Sequence, residues 1–146
     1  QSFNRAVTRA EAAAMLVRLL GREKVALVST DPLPFTDVPE WAAPYIRYAC
    51  AEGLAHGLSD TEFGSGSPVT AAQFLTFLTR ALGYRGTADE ATPDTAPRLA
   101  DEISLTNGQY RPEAALTRGD AAKLCLQALF CTVKDTDDTL LRTLER

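Results

Sequence analysis

The sequence predicts an all-α protein built from repeated helix–loop–helix units, and two observations lead to this prediction. The segment VTRAEAAAMLVRLLG at 7–21 returns as VTAAQFLTFLTRALG at 69–83 and as LTRGDAAKLCLQALF at 116–130. All three copies place apolar residues at helical spacing, whereas strand-like alternation is limited to a weak KVALV at 24–28. One amphipathic unit cannot bury its apolar face alone, so three units are expected to stack as one bundle.

Each repeated segment begins with a helix-capping signal. A threonine is followed three residues later by a side chain that can reach back to it, in the pairs Thr8–Glu11, Thr70–Gln73 and Thr117–Asp120. The first two pairs have the capping-box pattern, and the shorter Asp120 is expected to close less well. An apolar residue precedes each threonine and is expected to staple onto the first turn: Val7, Val69 and Leu116.

The apolar positions of the three segments also align. Four registers recur, namely Ala12/Phe74/Ala121, Met15/Phe77/Leu124, Leu16/Leu78/Cys125 and Leu20/Leu82/Leu129. They predict one buried stripe on each helix. An aromatic residue lies shortly upstream of each threonine and is expected to anchor a loop on the core: Phe3, Phe63 and Tyr110.

A second helix is predicted before the capped helix of the middle unit. Pro39 and Glu40 mark its start and Gly53 its end, and a turn-rich loop follows. A worn version lies at 95–108, and the first unit has no counterpart, so 1–21 is interpreted as the back half of a truncated unit. One domain is expected, with 1–33 as half of repeat 1 plus linker, 34–84 as repeat 2, 85–132 as degenerate repeat 3, and 133–146 as a C-terminal helix.

Composition limits the function classes. The net charge is −4 and there is no basic block, so a nucleic acid is not expected as partner. The longest apolar run, Ala12 to Val17, is too short for membrane insertion. The three cysteines, Cys50, Cys125 and Cys131, are expected to be small buried residues without a disulfide or zinc site.

Two further signals for a site are weak. His56 is the only histidine, so it is interpreted as a solvated turn residue rather than part of a triad or metal cluster. The DTDDT run at 135–139 lacks the glycine that a calcium-binding EF-hand loop needs at its sixth position, where Leu140 stands, and it is interpreted as a helix cap. No metal and no cofactor are expected.

Three stretches together resemble a known family. FTDVPEWAAPYI, GLAHGLSDTEFGSGSPVT and a capped helix ending in RALGY resemble an S-layer homology (SLH) repeat. The likeness is strong over 34–84, strong but partial over 1–21, and degenerate over 94–132. It implies a pseudo-threefold bundle with the capped helices at its centre. It also implies an extracellular protein of the cell wall or S-layer.

The resemblance further implies a function and a ligand. Family members hold exported proteins to the bacterial envelope without a covalent bond. They bind a secondary cell-wall polysaccharide, often bearing a pyruvate ketal, in grooves between repeats. The arginine after the capping threonine belongs to these grooves, which here is Arg9 and, in repeat 3, Arg118. Repeat 2 has Ala71 at this position, so one groove is expected to be weak or silent.

For each candidate residue an alternative remains open. Arg9 could use its planar fork on the carboxylate of an anionic sugar or pair with a carboxylate on a neighbouring repeat. Asp37 could accept from sugar hydroxyls or merely turn the chain. Trp41 is expected mainly to wedge helix against loop, with sugar stacking as a second role. Gly57 and Gly108 could supply a positive φ or let a ligand approach the backbone.

Two other functions compete with polysaccharide binding. A structural or assembly module, in which worn repeats have lost sugar binding and contact other proteins, is the main alternative. Self-association is a related hypothesis. An enzyme is not predicted, because nothing in the sequence brings two carboxylates together as an acid–base pair.

Overall fold

The computed structural model describes residues 2–146, which contain seven α-helices and no sheet. The helices are α1 (Arg9–Leu19), α2 (Glu23–Leu27), α3 (Ala43–Ala51), α4 (Ala71–Ala81), α5 (Ala96–Glu102), α6 (Arg118–Leu129) and α7 (Leu140–Leu144). Short 3₁₀ turns lie at Ser2–Asn4 and Glu40–Ala42. The all-α prediction is confirmed.

The weak strand signal at 24–28 is wrong, because this segment is α2. Its apolar residues do not all point into the core: Ala26 is fully buried, whereas Val25 and Leu27 are exposed. The segment follows Gly21, which ends α1 with a φ of +70°, and then packs against α3. This short segment buries one side chain against α3 and satisfies its backbone as a helix. No strand lies beside it in residues 2–146.

The three capped helices form the centre of the molecule. Helices α1, α4 and α6 contact one another in all three pairings. All three capping boxes are formed, with each threonine Oγ1 accepting from the backbone N–H three residues on at 3.1 Å. In the reverse bond, the threonine N–H donates to a side-chain oxygen of Glu11 or Gln73 at 3.0 Å. The corresponding distance to Asp120 is 3.3 Å, because its side chain is one methylene shorter.

A ring of backbone hydrogen bonds closes the pseudo-threefold axis. The Val7 N–H donates to the Leu116 carbonyl at 2.9 Å, the Leu116 N–H to the Val69 carbonyl at 3.1 Å, and the Val69 N–H to the Val7 carbonyl at 2.8 Å. All three side chains are buried. The apolar residues before the threonines therefore join the three repeats to each other through their backbone.

Each helix start is also closed by the loop of the next repeat. The first helical N–H groups donate to carbonyls three residues before the following threonine: Arg9 to Ser67, Ala71 to Ala114, and Arg118 to Arg5. These bonds satisfy donors that a helix start leaves without intrahelical partners. The threefold arrangement predicted for the capped helices is thus present at the level of individual backbone bonds.

The repeats differ in what covers the central helices. Helix α3 packs on α1, and α5 packs on α4. Helix α6 instead contacts the Ser2–Asn4 turn and α7, which buries Leu140. Its outer face stays open, and Leu126 and Phe130 are 59% and 58% exposed.

The upstream aromatic residues do not share one role. Phe63 is fully buried and its ring meets that of Phe35 at a centroid distance of 5.7 Å. Tyr110 packs on the core while partly exposed. Phe3 is 66% exposed, so the expected loop anchor is wrong there, because the Ser2–Asn4 turn packs on α6 and leaves this ring in solvent. All three cysteines are free, and burial raises the pKa of the Cys50 and Cys125 thiols to about 11.

Candidate functional site

Arg9 lies at the first position of α1 and points into the protein rather than into solvent. Only 3% of the residue is exposed. Its Nε donates to the Phe63 carbonyl at 2.9 Å and a terminal nitrogen donates to the His56 carbonyl at 2.8 Å. The guanidinium also lies 4.8 Å from the centroid of the Phe63 ring and 5.5 Å from that of Phe77. Its hydrogen-bond partners are therefore neutral carbonyls of repeat 2, not a carboxylate.

Arg9 lines a cleft between repeats 1 and 2, which we call the narrow cleft. The cleft has a volume of about 220 Å³. Its walls include Arg9, His56, Gly57, Thr76, Phe77 and Arg80. Arg80, near the end of α4, is 6% exposed and donates from Nε to the Ala91 carbonyl at 2.9 Å. Two nearly buried guanidinium groups therefore face one small space.

The electrostatics of the narrow cleft favour an anion. Burial lowers the pKa of both Arg9 and Arg80, which means that the surroundings leave each positive charge poorly solvated. Asp37 opposes this effect at Arg9, and Glu90 opposes it at Arg80, where the Nε to Oε2 distance is 3.5 Å. An anionic group in the cleft would stabilise both cations in a partly desolvated setting.

Gly57 lies in the wall of the narrow cleft, at a position where a larger residue does not fit. A Cβ at this position would lie 2.4 Å from Cε1 of Phe35, 2.7 Å from the Ser59 carbonyl and 2.9 Å from the Glu62 carbonyl. A larger residue would push this loop apart. Gly108, the corresponding residue of repeat 3, has open space around it and a φ of +72°.

Asp37 organises the loop that holds Arg9. Its carboxylate accepts from the backbone N–H groups of Phe63 at 2.8 Å, Gly64 at 2.7 Å and Ser65 at 3.1 Å. Burial opposes ionisation, but these three donors hold the pKa of Asp37 below its usual value. The same loop presents the Phe63 carbonyl to Arg9. Asp37 thus positions a wall of the cleft and does not line it.

The remaining candidates lie apart from the narrow cleft. Trp41 is 50% exposed and does not line the narrow cleft, and its role as a wedge between helix and loop remains a prediction. Its neighbour Ala42 and Ile46 of α3 are fully buried. Arg118 lies at the first position of α6, half-buried, at the junction with the segment around Arg5.

Sequence reasoning missed Arg80 and the backbone of His56. The signal for Arg80 was an arginine ten residues after the capping threonine, which occurs in repeats 1 and 2. In repeat 1 this residue is Arg18, which bonds Glu23 and Tyr45 and ties α1 to its neighbours. The His56 side chain is exposed as expected, but its carbonyl holds Arg9 and its ring lies 3.6 Å from the Glu90 carboxylate.

A second cleft, which we call the wide cleft, lies in repeat 3. Its volume is about 480 Å³ and its lining includes Asp101, Ser104, Asn107, Tyr110, Lys123 and Gln127. No group of three or more metal-ligating side chains is present in residues 2–146. Among the helices of the same residues, none has the length and apolar character required to cross a membrane.

Comparison with known proteins identifies the family of the middle repeat and several relatives of the chain. Residues 34–75 match the model of the S-layer homology domain. The chain is 32% identical over 128 residues to the middle cell wall protein of Brevibacillus brevis, which covers 86% of this chain and 12% of that protein. It is 33% identical over 127 residues to a cell surface protein of Thermoanaerobacter kivui, covering 84% and 16%.

A cellulosome-anchoring protein of Acetivibrio thermocellus is 27% identical over 143 residues, covering 84% of this chain and 32% of that protein. The chain therefore spans between about a tenth and a third of the length of these three relatives. The likeness extends well beyond the matched repeat, because these alignments cover 84% to 86% of this chain. This chain is a member of the S-layer homology domain family, with residues 34–75 as the matched repeat.

Proposed function

We propose that this domain anchors an exported protein to the bacterial cell envelope by binding an anionic secondary cell-wall polysaccharide. The protein is accordingly extracellular and associated with the cell wall. The narrow cleft receives the acid group of the polymer. One observation carries the proposal: Arg9 and Arg80, both nearly buried, face the same 220 Å³ cleft.

Burial of the arginines supports this role. Arg9 is removed from water and hydrogen-bonds only neutral carbonyls, so its charge has lost more solvation than those bonds restore, whereas Glu90 compensates Arg80 in part at 3.5 Å. A ligand carboxylate would restore charge pairing, and the guanidinium fork can bind it in a bidentate manner. Names of the relatives, which include cell-wall, cell-surface and cellulosome-anchoring proteins, support the location and the anchoring role. The pyruvate ketal is the acid group that we expect.

The test is co-pelleting of the folded domain with purified cell walls before and after extraction of their non-peptidoglycan polymer. Intact walls are expected to retain the domain, and extracted walls to release it. Arg9→Lys keeps the charge but loses the fork, and we expect binding to fall by about tenfold, the equivalent of one good hydrogen bond. Far-UV circular dichroism must show that the variant is folded, because Arg9 also holds two carbonyls of repeat 2.

Arg5→Ala is the matched control for this test. Arg5 lies close to the same helix start and forms an exposed ion pair with Glu11 at 3.0 Å, but it does not line the narrow cleft. Arg5→Ala has the same net charge as Arg9→Ala, which removes the cation from the cleft and is expected to weaken binding at least as much as Arg9→Lys. Binding that falls equally in Arg5→Ala and Arg9→Ala would show a diffuse charge effect and contradict the assignment to the cleft.

The second candidate function is a structural or assembly module that contacts other proteins. The open outer face of α6, with Leu126 and Phe130 exposed, favours it. Such a module would ignore cell walls whether or not their polymer has been extracted. Sedimentation velocity tests the related self-association: a single folded monomer at all concentrations would remove it.

A further inference from the structure

The wide cleft differs from the narrow cleft in ways that follow from the repeat. The two occupy corresponding places, because residues at the same distance from the capping threonine line both: Thr76 and Lys123, Phe77 and Leu124, Arg80 and Gln127. The residue that corresponds to Arg9 is Ala71, which is fully buried and too short to reach the wide cleft. The wide cleft is the larger because it lacks the Arg9 guanidinium and has Leu124 where the narrow cleft has Phe77.

The charge of the wide cleft is balanced rather than positive. Its lining includes one acidic residue, Asp101, and one basic residue, Lys123. Asp101 uses Oδ1 to accept from the Thr106 hydroxyl at 2.5 Å and from the Gly108 N–H at 2.9 Å, bonds that hold the pKa of Asp101 below its usual value. No guanidinium lines this cleft, so the bidentate grip on a carboxylate is lost.

Amide groups replace the guanidinium groups. Asn107, Gln109 and Gln127 all line the wide cleft, and each amide offers both a donor and an acceptor. The phenol ring of Tyr110 and the Leu124 side chain add an apolar surface. Such a mixture suits a ligand with hydroxyl and amide groups and no net charge.

The backbone of the wide cleft is held in a costly conformation. Ser104 has a φ of +64°, in the left-handed region, where repeat 2 has Gly53 with a φ of +73°. A serine here is strained where glycine would not be. The Ser104 carbonyl accepts from Gln127 Nε2 at 3.2 Å, so this strained residue fixes one of the amides that faces the cleft.

We propose that the wide cleft is a second carbohydrate site, which takes a neutral sugar carrying an acetamido group and not an acidic sugar. The amides and the Asp101 carboxylate bond its hydroxyl and acetamido groups, and the Tyr110 ring and Leu124 contact its apolar face. Binding in the wide cleft does not require acid binding in the narrow cleft.

The test is a titration of the ¹⁵N-labelled chain with two probes, followed by amide chemical shifts. N,N′-diacetylchitobiose is neutral and acetamido-bearing, and digalacturonic acid is acidic. Chitobiose is expected to shift Asn107 and Gly108 with a Kd of the order of 1 mM, and digalacturonic acid to shift Gly57 and Leu58. If digalacturonic acid fails at the narrow cleft while chitobiose binds at the wide cleft, the proposed anchoring chemistry fails and this inference stands.

Variants on α6 sharpen the test. Gln127→Ala is expected to weaken chitobiose binding by about tenfold through loss of a hydrogen bond. Leu126→Ala, on the adjacent exposed position, serves as the matched control and should bind as the parent does. Absence of shifts at Asn107 and Gly108 with chitobiose, equal shifts there with the acidic probe, or equal weakening in both variants would overturn the inference.

Discussion

Helices α4 and α6 begin in the same way and end in different surroundings. Both start with a threonine capping box and both join the axial ring through the residue before the threonine. Nine of the eleven residues of α4 are buried, whereas only Ala121, Leu124 and Ala128 are buried in α6. The difference follows from α5, which packs on α4 and has no counterpart on α6. A start signal fixes where a helix begins, and its neighbours decide how much of it is buried.

The largest expected effect is on the free energy of unfolding, when a core-facing residue of each helix is truncated to alanine. Leu78 in α4 is fully buried, and its counterpart in α6 is the partly buried Cys125. Leu78→Ala should lower the free energy of unfolding by about 3 kcal/mol, because it leaves a cavity that the covered helix cannot close. Cys125→Ala should cost about 1 kcal/mol or less. Urea denaturation of both variants tests this, and equal losses would contradict the comparison.

The next effect compares the carboxylates that hold the two loops. Asp37 accepts three backbone N–H groups, whereas Asp101 accepts one and a hydroxyl. Asp37→Asn should cost about 2 kcal/mol at neutral pH, since charged acceptors bond more strongly than neutral ones. Asp101→Asn should cost less, and urea denaturation at neutral pH measures both losses.

The Asp37 effect has a defined dependence on pH. The pKa of Asp37 is lower in the folded protein than its usual 3.8, so the stabilisation is present above that usual value and disappears as pH falls through the folded-state pKa. The difference between the parent chain and Asp37→Asn should therefore close on acidification. A difference that stays constant down to about pH 2 would contradict the role of ionised Asp37.

A smaller effect concerns the caps. Thr70→Ala removes the acceptor for the Gln73 N–H and should cost about 1 kcal/mol. Thr117→Ala should cost somewhat less, because the reverse bond of its box is the longest of the three at 3.3 Å. Thermal denaturation followed by circular dichroism measures both. Thr70→Ser is the control, since it keeps the hydroxyl and should retain most of the stability.

The smallest effect is expected on the open face of α6. Leu126→Gln should change the free energy of unfolding by less than about 0.5 kcal/mol, because the side chain is 59% exposed in the monomer. A markedly larger loss, measured by urea denaturation at low protein concentration, would mean that the face is covered in solution. Repeating the measurement at high concentration would then show whether a second copy covers it.

The sequence was sufficient for the features that depend on local chemistry. The capped helices and their apolar registers could be predicted because a threonine box and a helical stripe are properties of neighbouring residues, whereas the threefold grouping was implied by the family resemblance. The domain boundaries and the ligand roles of Arg9, Asp37, Trp41, Gly57 and Arg118 remain predictions.

Features that depend on distant parts of the chain could not be read in this way. Asp37 meets a loop 26 to 28 residues further on, and Arg80 joins Arg9 only when α1 and α4 pack together. Trp41 and Phe3 are exposed, and nothing in their own sequence neighbourhood indicates that.

The closed ring at Val7, Val69 and Leu116 has a thermodynamic consequence. Each member donates one backbone hydrogen bond and accepts another in a dry interior. If any one repeat separates from the axis, one N–H and one carbonyl of the other two repeats therefore lose their partners. A linear array of repeats can fray from its ends, since each unit touches only its neighbours. Here no repeat is terminal at the axis, and melting should accordingly be all-or-none, with no intermediate in which two repeats persist without the third.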